Sequence, residues 1–555
     1  MEPNSSPNTP AAAADASARV PGAHTDTFTR DHLPPPGQWP ELLLDDPLVR
    51  YPERLNCGYE LLDRTIAERG PDRPALRSGD GEVWSYGELR ETVDRVAHTL
   101  TGELGVAPGN RVLLRGPTTP WLAACWLAVM KAGAVAVTVL AQARAPELAT
   151  ICSLARVGHA LCDARSTGDL RAAGVQGLRI TEFGGDGPGD LTRLAAARSG
   201  PYRVVDTAAD EVALIAFTSG TTGRPKGCMH LHRDVLAVAD TFSREVLRPS
   251  PDDVFAGSPP LGFTFGLGGL LLFPLRAGAS TLLLEQAGPG QLLPALARHR
   301  VSVLFTAPTA YRTMLGQLAG HDLSALRRCV SAGENLPAAT WHAWHEATGL
   351  RIINGIGATE LLHIFISAAD DAIRPGTVGV PVPGWQARVV DERGDELPDG
   401  EPGLLAARGP VGCRYLADPR QTEYVRHGWN LTGDTFVREP DGYFRYVARA
   451  DDMIISSGYN IAGPEVEEAL LRHPEVAEAA VVGRADELRG QIVVAHVVLT
   501  EGSEQTADAL RAHMKASLAP HKCPRVFVFE QALPRTATGK LQRFLLREDA
   551  PWGLS

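Results

Sequence analysis

The alternation of strand-like and helix-like segments between about residues 46 and 445 constrains the fold of this 555-residue chain more than any other feature. Residues 212–218 form an unbroken apolar run typical of a buried strand, and apolar residues between positions 235 and 242 recur at helical spacing after it. The same order of strand and helix repeats between residues 301 and 348. Strands that alternate with helices predict mainly parallel sheets covered by helices.

The remaining regions of the sequence predict how the chain is divided into domains. Residues 1–45 are rich in proline, alanine and serine and predict a disordered tail before a large N-terminal domain of residues 46–449. Within that domain, the short segments and turns of residues 376–445 predict a small β-barrel subdomain. Residues 450–555 contain a helix, an alternating strand and a second helix, and they predict a small α+β C-terminal domain.

Charge and composition limit the partners of the chain. The 54 basic and 65 acidic residues give a net charge of −11 without a basic run, which argues against nucleic acid or an anionic membrane as a partner. Eight cysteines occur without a CxxC pair, so we expect neither a zinc site nor a disulfide framework, and a reducing cytoplasm fits best. The N-terminus lacks the basic and apolar regions of a secretory signal.

The most apolar segment, residues 121–140, is interrupted by Lys131 and the Ala-Gly pair that follows it. Each half is shorter than the roughly 20 residues that a membrane-spanning helix needs. The segment therefore predicts a buried helix followed by a buried strand, and we expect no membrane association.

The stretch FTSGTTGRPKG, residues 217–227, differs from a P-loop in two positions. A P-loop requires G-x-x-x-x-G-K-[ST], with glycine before the lysine and a hydroxyl residue after it. Here Pro225 precedes Lys226, and Gly227 follows it. Because proline has no backbone N–H and cannot run inside the helix that a P-loop opens, a P-loop is excluded.

The same stretch still carries the groups that bind a polyphosphate. Glycines allow close approach of the backbone, hydroxyls and backbone N–H groups donate hydrogen bonds, and a lysine supplies positive charge. These residues are Gly220, Gly223 and Gly227, then Thr218, Ser219, Thr221 and Thr222, and finally Lys226. The alternative is a flexible surface loop, but the position directly after a predicted buried strand favours an anion site.

Further motifs follow this loop in order. They are SAGE at residues 331–334, IGATE at 356–360, TGD at 432–434, ARADD at 448–452, SSGYNIAGPEVE from Ser456, and LPRTATGKLQR, which contains Lys540. Together with the loop, this ordered set resembles the adenylate-forming superfamily of acyl-CoA ligases, carrier-protein adenylation domains and luciferases. The resemblance covers about residues 215–545.

The resemblance implies a site for ATP and Mg²⁺. The glycine loop and Lys226 would clasp the β- and γ-phosphates of ATP. Thr359 would contact the α-phosphate, and Glu360 would help to hold Mg²⁺. The segment containing Gly333 and Glu334 would face the adenine ring.

The ribose and the catalytic lysine are implied in the same way. Asp434 would accept hydrogen bonds from the two ribose hydroxyls, as one carboxylate can from a vicinal diol, and Arg449 would assist it. Lys540 would bridge the substrate carboxylate and the α-phosphate, so the expected catalytic residues are Lys540, Glu360 and Thr359. Outside this context, a threonine–glutamate pair is typical of a helix cap and a lysine near the C-terminus of a solvated charge.

For the second half-reaction, the resemblance implies that the C-terminal domain is mobile. The domain would turn about a hinge at Asp451. The segment Ser457, Gly458 and Tyr459 would then approach the thiol of coenzyme A, with Gly458 small enough for a pantetheine arm to pass.

Five positions resemble the acyl pocket of benzoate- and 2-aminobenzoate-CoA ligases. Gly357 would leave room for a flat group, and Phe263 and Phe265 would provide aromatic walls. His363 and Ile364 follow the Thr-Glu motif as in that branch. The alternative is that the phenylalanines and the histidine are ordinary core residues.

The resemblance therefore implies ATP-dependent activation of a benzoate-like acid and its transfer to coenzyme A. Ile356, where many members have an aromatic residue against adenine, and Phe263, where many aryl-CoA ligases have histidine, leave the identity of the acid open. The alternatives are loading of a free-standing carrier protein, or activation of an unusual anion or of an amino-substituted aryl acid. A homodimer is also left open. A degenerate, non-enzymatic nucleotide-binding scaffold is disfavoured because Lys226, Glu360, Asp434 and Lys540 are all present.

Overall fold

The computed structural model describes residues 21–219, 225–456, 459–486, 489–536 and 541–547. Its α-helices, in chain order, are α1 (Phe28–Asp31), α2 (Cys57–Leu61), α3 (Asp63–Arg69), α4 (Tyr86–His98), α5 (Pro120–Lys131), α6 (Ala145–Leu154), α7 (Thr167–Ala172), α8 (Leu191–Ala196), α9 (His232–Val238), α10 (Thr264–Leu267), α11 (Phe273–Ala277), α12 (Pro289–Arg298), α13 (Pro308–Leu315), α14 (Ala338–Thr348), α15 (Gln421–Tyr424), α16 (Gly463–Leu471), α17 (Ala507–Ser517) and α18 (Arg543–Leu546).

The strands form four sheets. In chain order they are β1 (Pro74–Ser78), β2 (Val83–Ser85), β3 (Arg111–Arg115), β4 (Val135–Thr138), β5 (His159–Asp163), β6 (Arg179–Phe183), β7 (Val212–Ser219), β8 (Pro225–Leu231), β9 (Val254–Gly257), β10 (Ser280–Leu283), β11 (Val303–Thr306), β12 (Arg328–Ser331), β13 (Ile352–Gly357), β14 (Ile364–Ser367), β15 (Val380–Pro381), β16 (Gln386–Val390), β17 (Pro402–Arg408), β18 (Val425–Arg426), β19 (Trp429–Arg438), β20 (Phe444–Arg449), β21 (Ile454–Ser456), β22 (Tyr459–Ile461), β23 (Val476–Asp486), β24 (Gly490–Leu499) and β25 (Val526–Phe529).

Two helix-covered sheets carry most of the N-terminal part. The first has the order β6-β5-β3-β4-β7-β8, and its strands are parallel except for the antiparallel β7–β8 hairpin. The second has the order β15-β14-β13-β12-β11-β9-β10-β1-β2, with a parallel centre and antiparallel pairs at both ends. Helix α5 contacts β3 and β4 of the first sheet and β1 of the second, and its side chains are almost all buried.

Two smaller sheets complete the fold. β16, β17, β19, β18 and β20 form an antiparallel sheet after the second large sheet. In the C-terminal part, β22, β21, β24, β23 and β25 form a sheet against which α16 packs, around a core that includes Ile454, Val466 and Val493. The predicted fold class, helix-covered and mainly parallel sheets with a small β subdomain and a small α+β C-terminal domain, is confirmed.

The prediction of a disordered tail is wrong for residues 21–45. Phe28 in α1 is buried, with the Arg111 guanidinium 4.6 Å from its ring centre, and Asp26 pairs with Arg111. Further along, Trp39 lies 4.8 Å from the guanidinium of Arg414. Composition averages over the whole segment, so it does not detect a few aromatic and charged anchors that are enough to fix the second half. Residues 1–20 lie outside the described part.

The apolar segment of residues 121–140 forms α5 and β4, as predicted. In the part of the chain that the structure describes, no helix has both the length and the apolar character needed to cross a membrane.

Lys131 at the end of α5 is fully buried, and its positive charge is balanced by two carboxylates. Its Nζ lies 2.7 Å from Asp63 Oδ2 and 2.7 Å from Asp94 Oδ1. Burial raises the pKa of Asp63, and Lys131 opposes that shift. Removing the cation leaves two carboxylates facing each other in a region shielded from water.

We predict that Lys131→Met destabilises the protein by about 3–5 kcal/mol, the usual cost of breaking a buried ion pair from one side. The control is Lys515→Met, which removes an exposed lysine from α17. Urea unfolding followed by fluorescence measures both variants. Equal unfolding midpoints for the two would contradict the assigned role of Lys131.

Candidate active site

Three charged or polar side chains from different parts of the chain meet in one hydrogen-bonded group. The Lys226 ammonium donates to Tyr415 Oη at 2.8 Å, and the Tyr415 hydroxyl donates to Glu360 Oε1 at 2.6 Å. The direct distance from Lys226 Nζ to Glu360 Oε1 is 3.7 Å. Lys226 Nζ also lies 4.8 Å from the centre of the Tyr415 ring, in cation–π range.

Local backbone pairing explains why Tyr415 reaches this position. The segment around it runs alongside β8, where Met229 N donates to Arg414 O and Leu416 N donates to Gly227 O, each at 2.8 Å. Tyr415 N donates to Gln421 Oε1 at 2.8 Å, which fixes the residue from the other side. Burial, followed by the Glu360 carboxylate, raises the pKa of Tyr415, so the phenol stays protonated.

Thr359 is held by a histidine on β8. His230 Nε2 lies 2.9 Å from the carbonyl oxygen of Thr359. Because a carbonyl can only accept, Nε2 carries the proton. Burial lowers the pKa of His230 to about 4, so the ring is neutral at neutral pH. Thr359 and Glu360 stand on the short 3₁₀ turn Thr359–Leu361 that follows β13.

The residues expected at the ribose lie next to each other on paired strands. Asp434 on β19 stands opposite Arg449 on β20, and Arg449 Nη1 donates to Asp434 Oδ1 at 3.1 Å. Gly433 has a φ of +75°, a conformation that favours glycine, and this turns the backbone immediately before Asp434. The TGD motif therefore places a carboxylate, already oriented by an arginine, at the strand pair.

The segment expected at adenine contacts the C-terminal part of the chain. Glu334 Oε1 accepts a hydrogen bond from Arg535 at 3.0 Å, and Arg535 also donates to Glu478 at 2.6 Å. Burial raises the pKa of Glu334, and Arg535 opposes this. Gly333 has a φ of +90° with open space where a Cβ would stand. Arg535 belongs to the same motif as Lys540, which lies outside the described residues.

Glu360 fits a magnesium ion that arrives with a nucleotide. Mg²⁺ commonly takes one or two carboxylates and completes its shell with water and substrate phosphates. The Glu360 carboxylate offers hard oxygen ligands beside Lys226, the residue expected to hold phosphate. Within the described residues, no group of three or more His, Cys, Asp or Glu side chains could hold a metal by itself.

His363 lies in a cluster of aromatic rings. It is 3% exposed, and its ring centre lies 4.5 Å from that of Phe273 and 5.6 Å from those of Phe242 and Phe265. Its Nε2 lies 3.4 Å from the carbonyl oxygen of Phe265. Burial lowers the pKa of His363 to about 3, so the ring is neutral.

Gly357 is required by close backbone packing. A Cβ there would lie 2.8 Å from the His363 carbonyl oxygen, where β13 and β14 are irregularly paired. Ile364 is buried, and a Cβ at Gly355 would lie 2.7 Å from it. Phe263 is partly buried against the main core and precedes α10. The structure thus brings Gly357, Phe265, His363 and Ile364 together.

Some of the expected site residues lie outside the described part of the chain, and others lie at its edges. Gly220, Thr221, Thr222, Gly223, Ser457, Gly458 and Lys540 lie outside the described residues, as do the side chains of Ser219 and Asp451. Thr218 pairs with Lys226 across the β7–β8 hairpin. Tyr459 is 54% exposed, and its ring stacks on His521 with centres 4.3 Å apart.

Sequence reasoning missed Tyr415 and His230. His230 carried a usable signal, because Lys226, Cys228 and His230 alternate along β8 and therefore share one face of the strand. Tyr415 carried none, since it belongs to an irregular segment whose pairing with β8 is visible only in three dimensions.

Comparison with known proteins finds relatives over most of this chain. Residues 63–415 match the AMP-binding enzyme family, and residues 465–540 match the AMP-binding enzyme C-terminal domain. The benzoate–CoA ligase of Thauera aromatica is 35% identical over 519 residues, covering 90% of this chain and 97% of that protein. The 3-hydroxybenzoate–CoA ligase of Aromatoleum sp. (strain CIB) is 33% identical over 521 residues, covering 89% and 97%.

A solved structure is similar over almost the same length. The crystal structure of an anthranilate CoA ligase in complex with anthranoyl-AMP is 32% identical, with a TM-score of 0.85, and the match covers 90% of this chain and 97% of that one. The residues that match the AMP-binding enzyme family, 63–415, include Lys226, Glu360 and Tyr415, whose side chains form the hydrogen-bonded group. This chain belongs to the AMP-binding enzyme family.

Proposed function

We propose that this chain activates a benzoate-like carboxylic acid with ATP and transfers it to coenzyme A. The acid would form an acyl-adenylate with release of pyrophosphate, and the thiol would then displace AMP. One observation carries the proposal: residues 357–364 hold the phosphate-side residues Thr359 and Glu360 and also His363 of the aromatic cluster. The residues that would bind the α-phosphate and those that would bind the acid are therefore only a few positions apart in the chain, so the two reacting groups can be held close together.

In the first half-reaction, a carboxylate oxygen attacks the α-phosphorus and the bond to the β-phosphate oxygen breaks. Two anions must approach, and charge builds on the phosphorus oxygens, so catalysis rests on positioning and on positive charge. Lys226 and the glycine loop would hold the departing pyrophosphate. Mg²⁺ would neutralise phosphate charge beside Glu360. Lys540 would bridge the two reacting anions.

In the second half-reaction, the sulfur of coenzyme A attacks the acyl carbonyl carbon and the bond to AMP breaks. Ser457, Gly458 and Tyr459 would border the path of the thiol after the C-terminal domain turns about Asp451. Asp434 and Arg449 would keep the AMP part in place through its ribose. Tyr459 supports this role because it is 54% exposed even though its ring stacks on His521, so it stands at the surface of the C-terminal part.

The acid proposed is a benzoate, with or without an amino or hydroxyl substituent. A neutral histidine among aromatic rings offers a flat, apolar environment with few polar groups, which suits an aromatic ring. The relatives are named for benzoate, 3-hydroxybenzoate and anthranilate, which supports this class. Their acceptor is coenzyme A, so loading of a carrier protein is not favoured.

We predict that Lys540→Ala abolishes release of pyrophosphate from ATP and the acid but preserves thioester formation from supplied acyl-adenylate. One well-placed cation is typically worth about 3–4 kcal/mol in such a transition state, or roughly 10²–10³-fold in rate. Lys515→Ala, an exposed lysine on α17, is the control and should leave both steps unchanged. Equal loss of both steps in Lys540→Ala would refute the assignment.

We also predict that benzoate-type acids exceed hexanoate and octanoate by about two- to tenfold in kcat/KM for pyrophosphate release. Contacts between aromatic rings contribute about 0.5–1.5 kcal/mol beyond burial, which corresponds to a factor of up to about ten. The assay compares benzoate, 2-aminobenzoate and 3-hydroxybenzoate with the alkyl acids, with and without coenzyme A.

Two variants test whether the aromatic cluster causes this preference. Phe265→Leu should reduce the ratio of aryl to alkyl activity, because its ring packs beside His363. Phe529→Leu, at an exposed position on β25, should leave the ratio unchanged. A preference of the unmodified protein for alkyl acids would overturn the proposed substrate class.

A further inference from the structure

Tyr415 separates two opposite charges that would otherwise bind each other. Its hydroxyl accepts a hydrogen bond from Lys226 at 2.8 Å and donates one to Glu360 at 2.6 Å. Lys226 and Glu360 are 3.7 Å apart, longer than a direct charged hydrogen bond of about 2.7–2.9 Å. The two charges still attract each other across this distance, but the hydrogen bond that each makes here goes to the Tyr415 hydroxyl and not to the other charged group.

We propose that Tyr415 is a positioning residue for the nucleotide reaction: its hydroxyl keeps the Lys226 ammonium and the Glu360 carboxylate apart and oriented, so that one can receive phosphate and the other Mg²⁺. This inference rests on the proposed function for the identity of the ligand. It concerns a residue to which the sequence motifs assigned no role.

The position of the hydroxyl is set before any ligand binds. Tyr415 is fully buried, and its backbone is tied to β8 through the isolated bridge with Cys228 and to Gln421 through its N–H. A group fixed by the scaffold in this way costs little to organise when the ligand arrives. Lys226, in contrast, is a flexible side chain, and a fixed acceptor restricts where its ammonium can point.

Loss of the Tyr415 hydroxyl should weaken the binding of nucleotide and Mg²⁺. Without it, Lys226 and Glu360 would close to a direct ion pair, which is stronger where water is excluded. Phosphate and Mg²⁺ would then have to break that pair before either could bind. The predicted defect is therefore specific to ATP and Mg²⁺, and it does not extend to the acid or to the thiol.

Tyr424 provides a matched control. Its ring packs against that of Tyr415, with centres 5.7 Å apart, and lies 5.9 Å from Lys226 Nζ. Its hydroxyl is buried and has no hydrogen-bond partner among the described residues. Tyr424→Phe therefore removes a hydroxyl from the same aromatic cluster without touching the link between Lys226 and Glu360.

The experiment compares Tyr415→Phe and Tyr424→Phe in the full-length protein. We expect Tyr415→Phe to raise the Kd for a non-hydrolysable ATP analogue with Mg²⁺, measured by calorimetry, at least tenfold. The KM for ATP and the Mg²⁺ concentration at half-maximal rate should rise in parallel. The KM for the acid and thioester formation from supplied acyl-adenylate should change less than twofold. Tyr424→Phe should stay within twofold in every measurement.

Two results would overturn the proposal. One is an unchanged Kd for the nucleotide with Mg²⁺ in Tyr415→Phe, and the other is an equal loss in all steps, as a structural defect produces. A double variant gives a further test: in Lys226→Met, adding Tyr415→Phe should cause little additional loss of nucleotide affinity, whereas full additivity would contradict action through Lys226. Nucleotide binding is measured without the acid, so failure of the proposed substrate class leaves this test intact.

Discussion

The hydrogen bonds that join Lys226, Tyr415 and Glu360 bring the two large sheets and an irregular segment of the chain together at one point. Lys226 begins β8 of the six-stranded sheet, and Glu360 lies between β13 and β14 of the nine-stranded sheet. Tyr415 lies between β17 and β18 of the small antiparallel sheet. Lys226 and Glu360 come from different sheets, so this hydrogen-bonded group forms only when those sheets and the segment of Tyr415 are packed together.

This junction also bears on the location of the proposed acyl pocket. After Glu360 the chain makes a tight turn, in which Leu362 has a φ of +67°, and enters β14 with His363 among the aromatic rings. The close approach of Gly357 to the His363 carbonyl keeps this turn short. Backbone packing therefore sets the separation between the proposed phosphate side and the proposed acid side.

The sequence predicted those features of the fold and site that depend on the chemical type and spacing of residues close together in the chain. Apolar runs and helical spacing predicted the large sheets and their helices, and the glycine-rich and charged motifs predicted Lys226, Glu360, Asp434 and Arg449 as neighbours of one ligand. Tyr415 could not be found in this way, because its role depends on an irregular segment pairing with β8. The anchoring of residues 21–45 was missed for a related reason: it rests on a few contacts, such as Phe28 with Arg111, that composition does not register.

The contact between Arg535 and Glu334 joins two parts of the chain through charged side chains. Arg535 joins the adenine-side segment to Glu478 of the C-terminal domain through partly exposed ion pairs. Removing charged groups from water offsets much of their attraction, so such ion pairs can favour one orientation of the domain without fixing it. An apolar interface of the same size would hold the domain more firmly and would slow the proposed turn about Asp451. Charged contacts at this boundary therefore suit the proposal that the domain presents two faces to one site.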